Sequence, residues 1–318
     1  MPHQIESIAW AGETPWHGLG TQVDPDLGVD QMLVAAGLDW RVAKERLYVR
    51  RDGRDVPVPG HHALTRSSDG SVLSVVGSTY RPVQNHEALE FFRAFVEAGD
   101  MRLETAGSLG GGKRIWALAA LREEFELAGG DAVSGYLLFT NPHGLNAALV
   151  VQFTPIRVVC ANTIAMALNG PSAGVYRHAH FSDFDAERAK AALGLAKHQL
   201  GEFRETAAFL ASRRYTDDTV RRFLVDVFEP LRAANDETAD LVKRPRVKRA
   251  IDALASQPGG DLKAAAGTWW GALNAVTWLA DHRLGRGADT RLSSAWYGEA
   301  RQFKLRALSQ AVDYAKAA

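Results

Sequence analysis

The spacing of apolar residues changes along the chain. Up to about His180 they come in short runs of strand length cut by Gly, Pro, Asn and Asp, and beyond it they recur at helical spacing. The strongest strand signal lies between Gly135 and Leu168. Gly135–Thr140 and Ala147–Phe153 are apolar runs separated by the turn formers Asn141, Pro142, His143, Gly144 and Asn146, which reads as a hairpin with a longer loop. After Pro155 and the short segment Ile156–Cys160, Asn162 is placed to cap a helix through Met166 and Leu168.

Upstream, Val29–Ala36 has the pattern of a short amphipathic helix stopped by Gly37. Trp40–Arg50 alternates in two phases, which predicts a strand with a bulge near Lys44. Asp52-Gly53 and Ser67–Gly70 supply the turns of two antiparallel hairpins. A helix follows over His86–Ala98, with Asn85 as its N-cap and Gly99 as its stop. Met101–Ala106 and Arg114–Leu121 read as strands joined by the glycine-rich stretch Gly107–Lys113. The N-terminal phrase AWAGETPWHGLGT has too much Gly and Pro for a helix and too many aromatics for a free tail, so it reads as an arm laid on another surface. Downstream, helical segments are expected over Asp183–Leu210, Asp217–Phe228, Glu237–Leu254, Leu262–Leu284 and Ser294–Ala315. The expected class is α+β. A twisted, mostly antiparallel sheet with helices and an N-terminal arm occupies residues 1–180, and a helical region follows over 181–318.

Composition narrows the class. With 46% apolar and 23% charged residues the chain is globular rather than disordered. Its one cysteine, Cys160, excludes an intrachain disulfide and a cysteine-built zinc cluster, and fits a reducing compartment. No run approaches the ~18 apolar residues of a membrane span, and the N-terminus lacks the pattern of a secretory signal, so the expectation is a cytoplasmic protein with no membrane partner. The net charge of zero hides an asymmetry: up to Thr140 there are 13 Lys and Arg against 19 Asp and Glu, and thereafter 24 against 18. A basic back half faces a polyanion, or docks on the acidic front half of a neighbour in an oligomer.

Candidate chemistry gathers on cations. Arg157 sits among aliphatics, where a guanidinium needs either a carboxylate or an anion such as phosphate. Gly110, Gly111 and Gly112 let backbone N–H groups approach an anion beside Lys113 and Arg114, although no P-loop pattern is present and a glycine tract serves equally as a hairpin tip. Lys243, Arg244, Arg246, Lys248 and Arg249 place five cations within seven residues, either on phosphates or as a solvated face paired with Asp236, Glu237 and Asp240. Trp269, Trp270 and Trp278 stack on bases or fill the core of a buried helix. An enzyme has to be assembled from His143, His178, His180, His198 and scattered carboxylates, with His178 and His180 as two metal ligands on one face of a strand, and no HExxH, GxSxG or dinucleotide fingerprint accompanies them. No catalytic residue, metal ligand or cofactor is assigned.

The phrases WHGLGT (Trp16–Thr21), TYRPVQN (Thr79–Asn85), GGGKRIWALA (Gly110–Ala119), TPIRVVCANT (Thr154–Thr163) and WWGALNAVTWLADH (Trp269–His282), in this order, resemble the phage/plasmid-like protein family built on domain of unknown function 932. The resemblance implies a mobile-element protein of bacteria, phages or plasmids, and brings no established catalytic residues. At the level of fold, the order of a strand-rich front, a glycine-tipped hairpin and a basic helical back half is similar to phage single-strand annealing proteins. The expectation is a non-enzymatic, homo-oligomeric protein that binds or anneals single-stranded DNA, with Lys113, Arg114, Arg157 and the run from Lys243 to Arg249 on phosphates. The alternatives are a metal-dependent hydrolase or nuclease, and a structural or host-takeover protein that acts through protein contacts.

Overall fold

The computed structural model describes residues 5–12, 20–144, 148–157, 162–163, 175–182, 186–231, 238–285 and 288–318. Strands β1 (Ile5–Ala11) and β2 (Thr21–Val23) precede helix α1 (Val29–Ala35), and β3 (Val42–Arg51), β4 (Arg54–Arg66) and β5 (Val72–Gly77) follow. Next come α2 (Asn85–Glu90), α3 (Arg93–Glu97) and four long strands, β6 (Met101–Leu109), β7 (Arg114–Leu127), β8 (Asp131–Pro142) and β9 (Leu149–Arg157). The short strands β10 (Asn162–Thr163) and β11 (Val175–His178) lead to α4 (Ala186–Ser212), α5 (Asp217–Phe228), α6 (Thr238–Leu241), α7 (Pro245–Ser256), α8 (Trp269–His282), α9 (Ala288–Tyr297) and α10 (Glu299–Ala317).

The α+β class holds. Among the described residues eight strands form one sheet in the order β10-β9-β8-β7-β6-β1-β2, with β11 beside β10 on the outer edge of β9, and β3-β4-β5 form a second, antiparallel sheet. Every neighbouring pair is antiparallel except β1 with β2. The expected β8–β9 hairpin is present, with Gly135–Thr140 and Leu149–Phe153 in its two strands.

Several local expectations are corrected. The two ends of the N-terminal phrase lie in β1, which pairs with β6, and in β2 beyond it, so Ala9–Ala11 and Thr21 belong to the sheet instead of lying on a surface. Residues 13–19, with Trp16 and His17, lie outside the described residues, as does Cys160. The bulge of β3 falls between Arg46 and Tyr48 rather than at Lys44. The helix expected over His86–Ala98 is two helices, broken where Phe91 and Phe92 are both fully buried with ring centroids 6.0 and 5.9 Å from Phe139. Asn85 does not cap it. Its side-chain amide donates to the carbonyls of Leu38 (3.0 Å) and Trp40 (3.3 Å), which pins the loop before β3. Asn162 and Thr163 pair with Arg157 and Ile156 as a short strand, and the helix expected through Met166 and Leu168 lies outside the described residues. The last helix is divided at Gly298 into α9 and α10.

Alternation along β8 gives the sheet two different faces. Val133, Leu137 and Phe139 enter the main core, which reaches from Ala9 to Ala315 and includes Leu200 and Phe203 of α4 and Trp269 and Trp270 of α8. Leu138, with Trp116 and Leu118 of β7, belongs to a smaller cluster on the opposite face, against the half-buried Trp296 and Tyr297. Where α8 begins, Thr268 accepts from the Gly271 N–H (3.2 Å) and donates to the Ala264 carbonyl (2.6 Å), drawing residues 264–268 tightly against the helix. A Cβ at Gly271 would stand 2.0 Å from the Ala265 carbonyl oxygen. Gly271→Ala is therefore expected to lower stability by about 1–3 kcal/mol, the usual cost of overpacking a filled core. A urea unfolding midpoint unchanged from the parent protein would contradict it.

Candidate nucleic-acid interface

The register of the large sheet sets one row of residues across four strands. Trp116 of β7 pairs with Thr140 of β8, Thr140 with Val150 of β9, and Val150 with Arg177 of β11. Directly opposed residues share a face. One step to either side on that face are Arg114, opposite Pro142, and Gln152, opposite Leu138. The face therefore carries Arg114 and Arg177 at either side, with Thr140 and Gln152 between them.

The junction of α9 and α10 covers this face. Trp296 meets Trp116 edge-on at 4.9 Å, and the Tyr297 hydroxyl lies 2.8 Å from the Thr140 hydroxyl. The Arg114 guanidinium sits over the Tyr297 ring, 4.3 Å from its centroid. Burial pushes the Tyr297 phenol up to about 12, against the opposing pulls of Thr140 and Arg114, so at neutral pH it keeps its proton. Arg301, in the first turn of α10, completes the wall. Between sheet and helices is a groove of about 200 Å³ lined by Arg114, Gln152, Arg177, Trp296, Tyr297 and Arg301, among others.

Among the described residues the positive charge of this groove has no counterpart close by. Among the described residues none of Arg114, Arg177 and Arg301 has a carboxylate within ion-pair distance. Burial lowers the proton affinity of Arg301, and the Arg177 charge lowers it further. Three guanidiniums converging without a counter-charge form a place for an anion, and the planar forks of arginine match phosphate oxygens. One turn beyond Arg301, the buried Lys304 ammonium donates to Asp281 of α8 at 2.7 Å, which fixes how α10 is rotated against α8.

The residues expected from sequence fall in three places. Arg114 lines the groove, and Lys113 is exposed in the turn next to it, its carbonyl accepting the His143 N–H at 2.8 Å. The glycine tract is a tight turn: Gly110, Gly111 and Gly112 all have positive φ (63°, 69° and 81°), and a Cβ on Gly112 would press within 3.2 Å of Trp40. The backbone of Arg157 ends β9, while its side chain lies outside the described residues.

The basic run opens α7, with Pro245 as its first residue. Lys243 pairs with Asp240 at 2.8 Å, and Arg246 forks onto Glu299 at 2.9 and 3.2 Å. Exposed pairs of this kind are worth about 0–1 kcal/mol, so they do little to hold the two cations back from another anion. Arg244, Lys248 and Arg249 are exposed, and none has a carboxylate within ion-pair distance among the described residues. Glu299 and Arg301 both belong to the first turn of α10, so this turn ties the basic helix to the groove.

Trp269 and Trp270 are fully buried, and the Trp270 indole donates to Asp131 at 2.8 Å, so both are core residues and no platform for bases. The sequence reading missed Arg177, Arg301, Trp296 and Tyr297. The first carried a faint signal as the cation in the strand-like VYRHAH, and the others looked like ordinary members of an amphipathic helix.

The histidines form a separate, buried group on the other side of β8. Because the Asn85 amide nitrogen is committed to two carbonyls, its oxygen accepts, and His143 must donate from Nε2 (3.0 Å). Burial, and secondarily His180, holds His143 down at about 3; burial is also the main cause that lowers His180 to about 4. His180 stacks on Tyr80 with ring centroids 4.8 Å apart, and His178 donates to the Ser182 carbonyl at 3.1 Å. Among the described residues no three His, Cys, Asp or Glu side chains are grouped to hold a metal ion. No described helix is long and apolar enough to cross a membrane.

No curated protein and no solved structure matches the chain. Residues 72–304 match the family described as Domain of unknown function (DUF932), and four of the five phrases that carry the sequence resemblance fall inside this span. The matched span contains the four long strands, the groove floor, Arg301 and the basic run, and by it the chain belongs to the DUF932 family.

Proposed function

We propose that this protein binds single-stranded DNA without modifying it, in a cytoplasmic, mobile-element setting, and that copies assembled along a strand bring complementary strands together. One observation carries the reading: three guanidiniums without a described carboxylate partner converge with two aromatic rings in a groove on the sheet. Positive charge that follows a backbone, with aromatic faces beside it, is how sequence-independent single-strand binders work. The exposed Arg244, Lys248 and Arg249 of the neighbouring basic run extend the positive surface.

The test is the affinity for a labelled single-stranded oligonucleotide at a series of salt concentrations, with a duplex and an RNA of the same sequence as comparisons. Affinity is expected to fall steeply with salt. A combined Arg114→Gln, Arg177→Gln and Arg301→Gln variant is expected to flatten the slope of log K against log salt by about 0.7, the share of the one phosphate that the groove holds. Neutralising Arg244, Lys248 and Arg249 is expected to flatten it further. Salt-insensitive binding, or equal preference for duplex, would remove the proposal.

A further inference from the structure

The groove is more highly charged than an internal strand phosphate requires. We infer that it receives a phosphate monoester, the dianionic end of a strand or of a nucleotide. This rests on the reading that the groove is a phosphate site. Three guanidiniums approach it from three elements: Arg114 from β7, Arg177 from β11 and Arg301 from α10. The other charged pair close by, Lys304 with Asp281, is already neutral as a pair.

A phosphodiester carries one negative charge and two non-bridging oxygens. It would leave two of the three cations uncompensated, and Arg301 already loses proton affinity to burial and to Arg177. A monoester carries about −1.5 to −2 at neutral pH and three terminal oxygens. It therefore offers one oxygen to each guanidinium and leaves about one of their three charges uncompensated instead of two.

Size points the same way. At about 200 Å³ the groove is smaller than the roughly 300–1,000 Å³ of sites that enclose whole drug-sized ligands. It has room for a phosphate and the sugar edge joined to it. Gln152 on the floor supplies a polar contact for the sugar, and Trp296 supplies an apolar wall. The bulk of a strand would leave the groove toward the exposed cations.

Oligonucleotides of one sequence ending in a 5′-phosphate, a 3′-phosphate or hydroxyls at both ends separate the possibilities, with a nucleoside monophosphate and inorganic phosphate as competitors. One phosphorylated end is expected to bind at least tenfold more tightly than the hydroxyl-ended strand. Arg177→Gln, which alters an exposed side chain and leaves the fold intact, is expected to abolish that difference, as is Arg301→Gln. Competition by the mononucleotide and not by inorganic phosphate would assign the sugar contacts as well. Competition by both equally would reduce the ligand to the phosphate alone and still support the monoester. If all three oligonucleotides bind equally and the arginine variants weaken each alike, the monoester inference falls and single-strand binding stands. If the mononucleotide binds and no oligonucleotide does, the inference stands and the DNA reading falls.

Discussion

Lys304→Met is expected to cost the fold about 3–5 kcal/mol, the usual penalty when one partner of a buried ion pair is removed and the other charge stays behind. Lys304 is 1% exposed and Asp281 is 6% exposed, with 2.7 Å between nitrogen and oxygen. Burial lowers the Lys304 proton affinity, and the Asp281 carboxylate opposes this. Replacing both, as Lys304→Met with Asp281→Leu, is expected to recover most of the loss, because a buried pair replaced by apolar groups of similar volume is close to neutral. Urea unfolding of the two variants measures this. A single variant within about 1 kcal/mol of the parent protein would show that the pair holds nothing in place. The effect reaches the groove, since Lys304 follows Arg301 by one helical turn. A folded Lys304→Met protein is expected to bind single strands more weakly although the side chain touches no ligand.

Acidification is expected to destabilise the protein well before the bulk of its carboxylates titrate. His143 has an ordinary value of 6.5 and is held at about 3 by burial and by His180. Between these values the unfolded chain takes up a proton that the native protein refuses, so stability is complete above pH 6.5 and is lost as the pH falls. At about 1.4 kcal/mol per pH unit, His143 alone accounts for roughly 2 kcal/mol between pH 6.5 and 5, and His180, lowered to about 4, adds to the same slope. His143→Gln can keep a hydrogen bond to Asn85 without titrating, and is expected to remove His143's share of the slope. Unfolding free energies at pH 7, 6 and 5 decide it: an identical pH dependence in the variant would mean that His143 is already protonated or exposed in the native protein.

The groove shows why part of the site was legible and part was not. Arg114 stood out because it follows a glycine tract at a hairpin tip, a local feature. Arg177 and Arg301 are 124 residues apart in the numbering, and they meet only because β11 pairs with Val150 while α10, near the end of the chain, crosses the same face. No short window of sequence contains both. The basic run was visible as composition, yet its tie to Glu299 depends on how α7 and α10 pack.

The histidines make the same point. His143 reads as a loop residue between two strands, whereas β8 continues to Pro142 and places it in the core against Asn85. By itself the sequence determined the elements whose cause is local: the period of apolar residues, the turns at Asp52-Gly53 and Gly110–Gly112, and hence the α+β class. Only the tertiary structure decided which side chains share a face, which cations already have partners, and which polar groups are buried. These depend on strand register and helix packing between residues far apart in the chain, and a one-residue shift in register would turn Arg177 to the other side of the sheet.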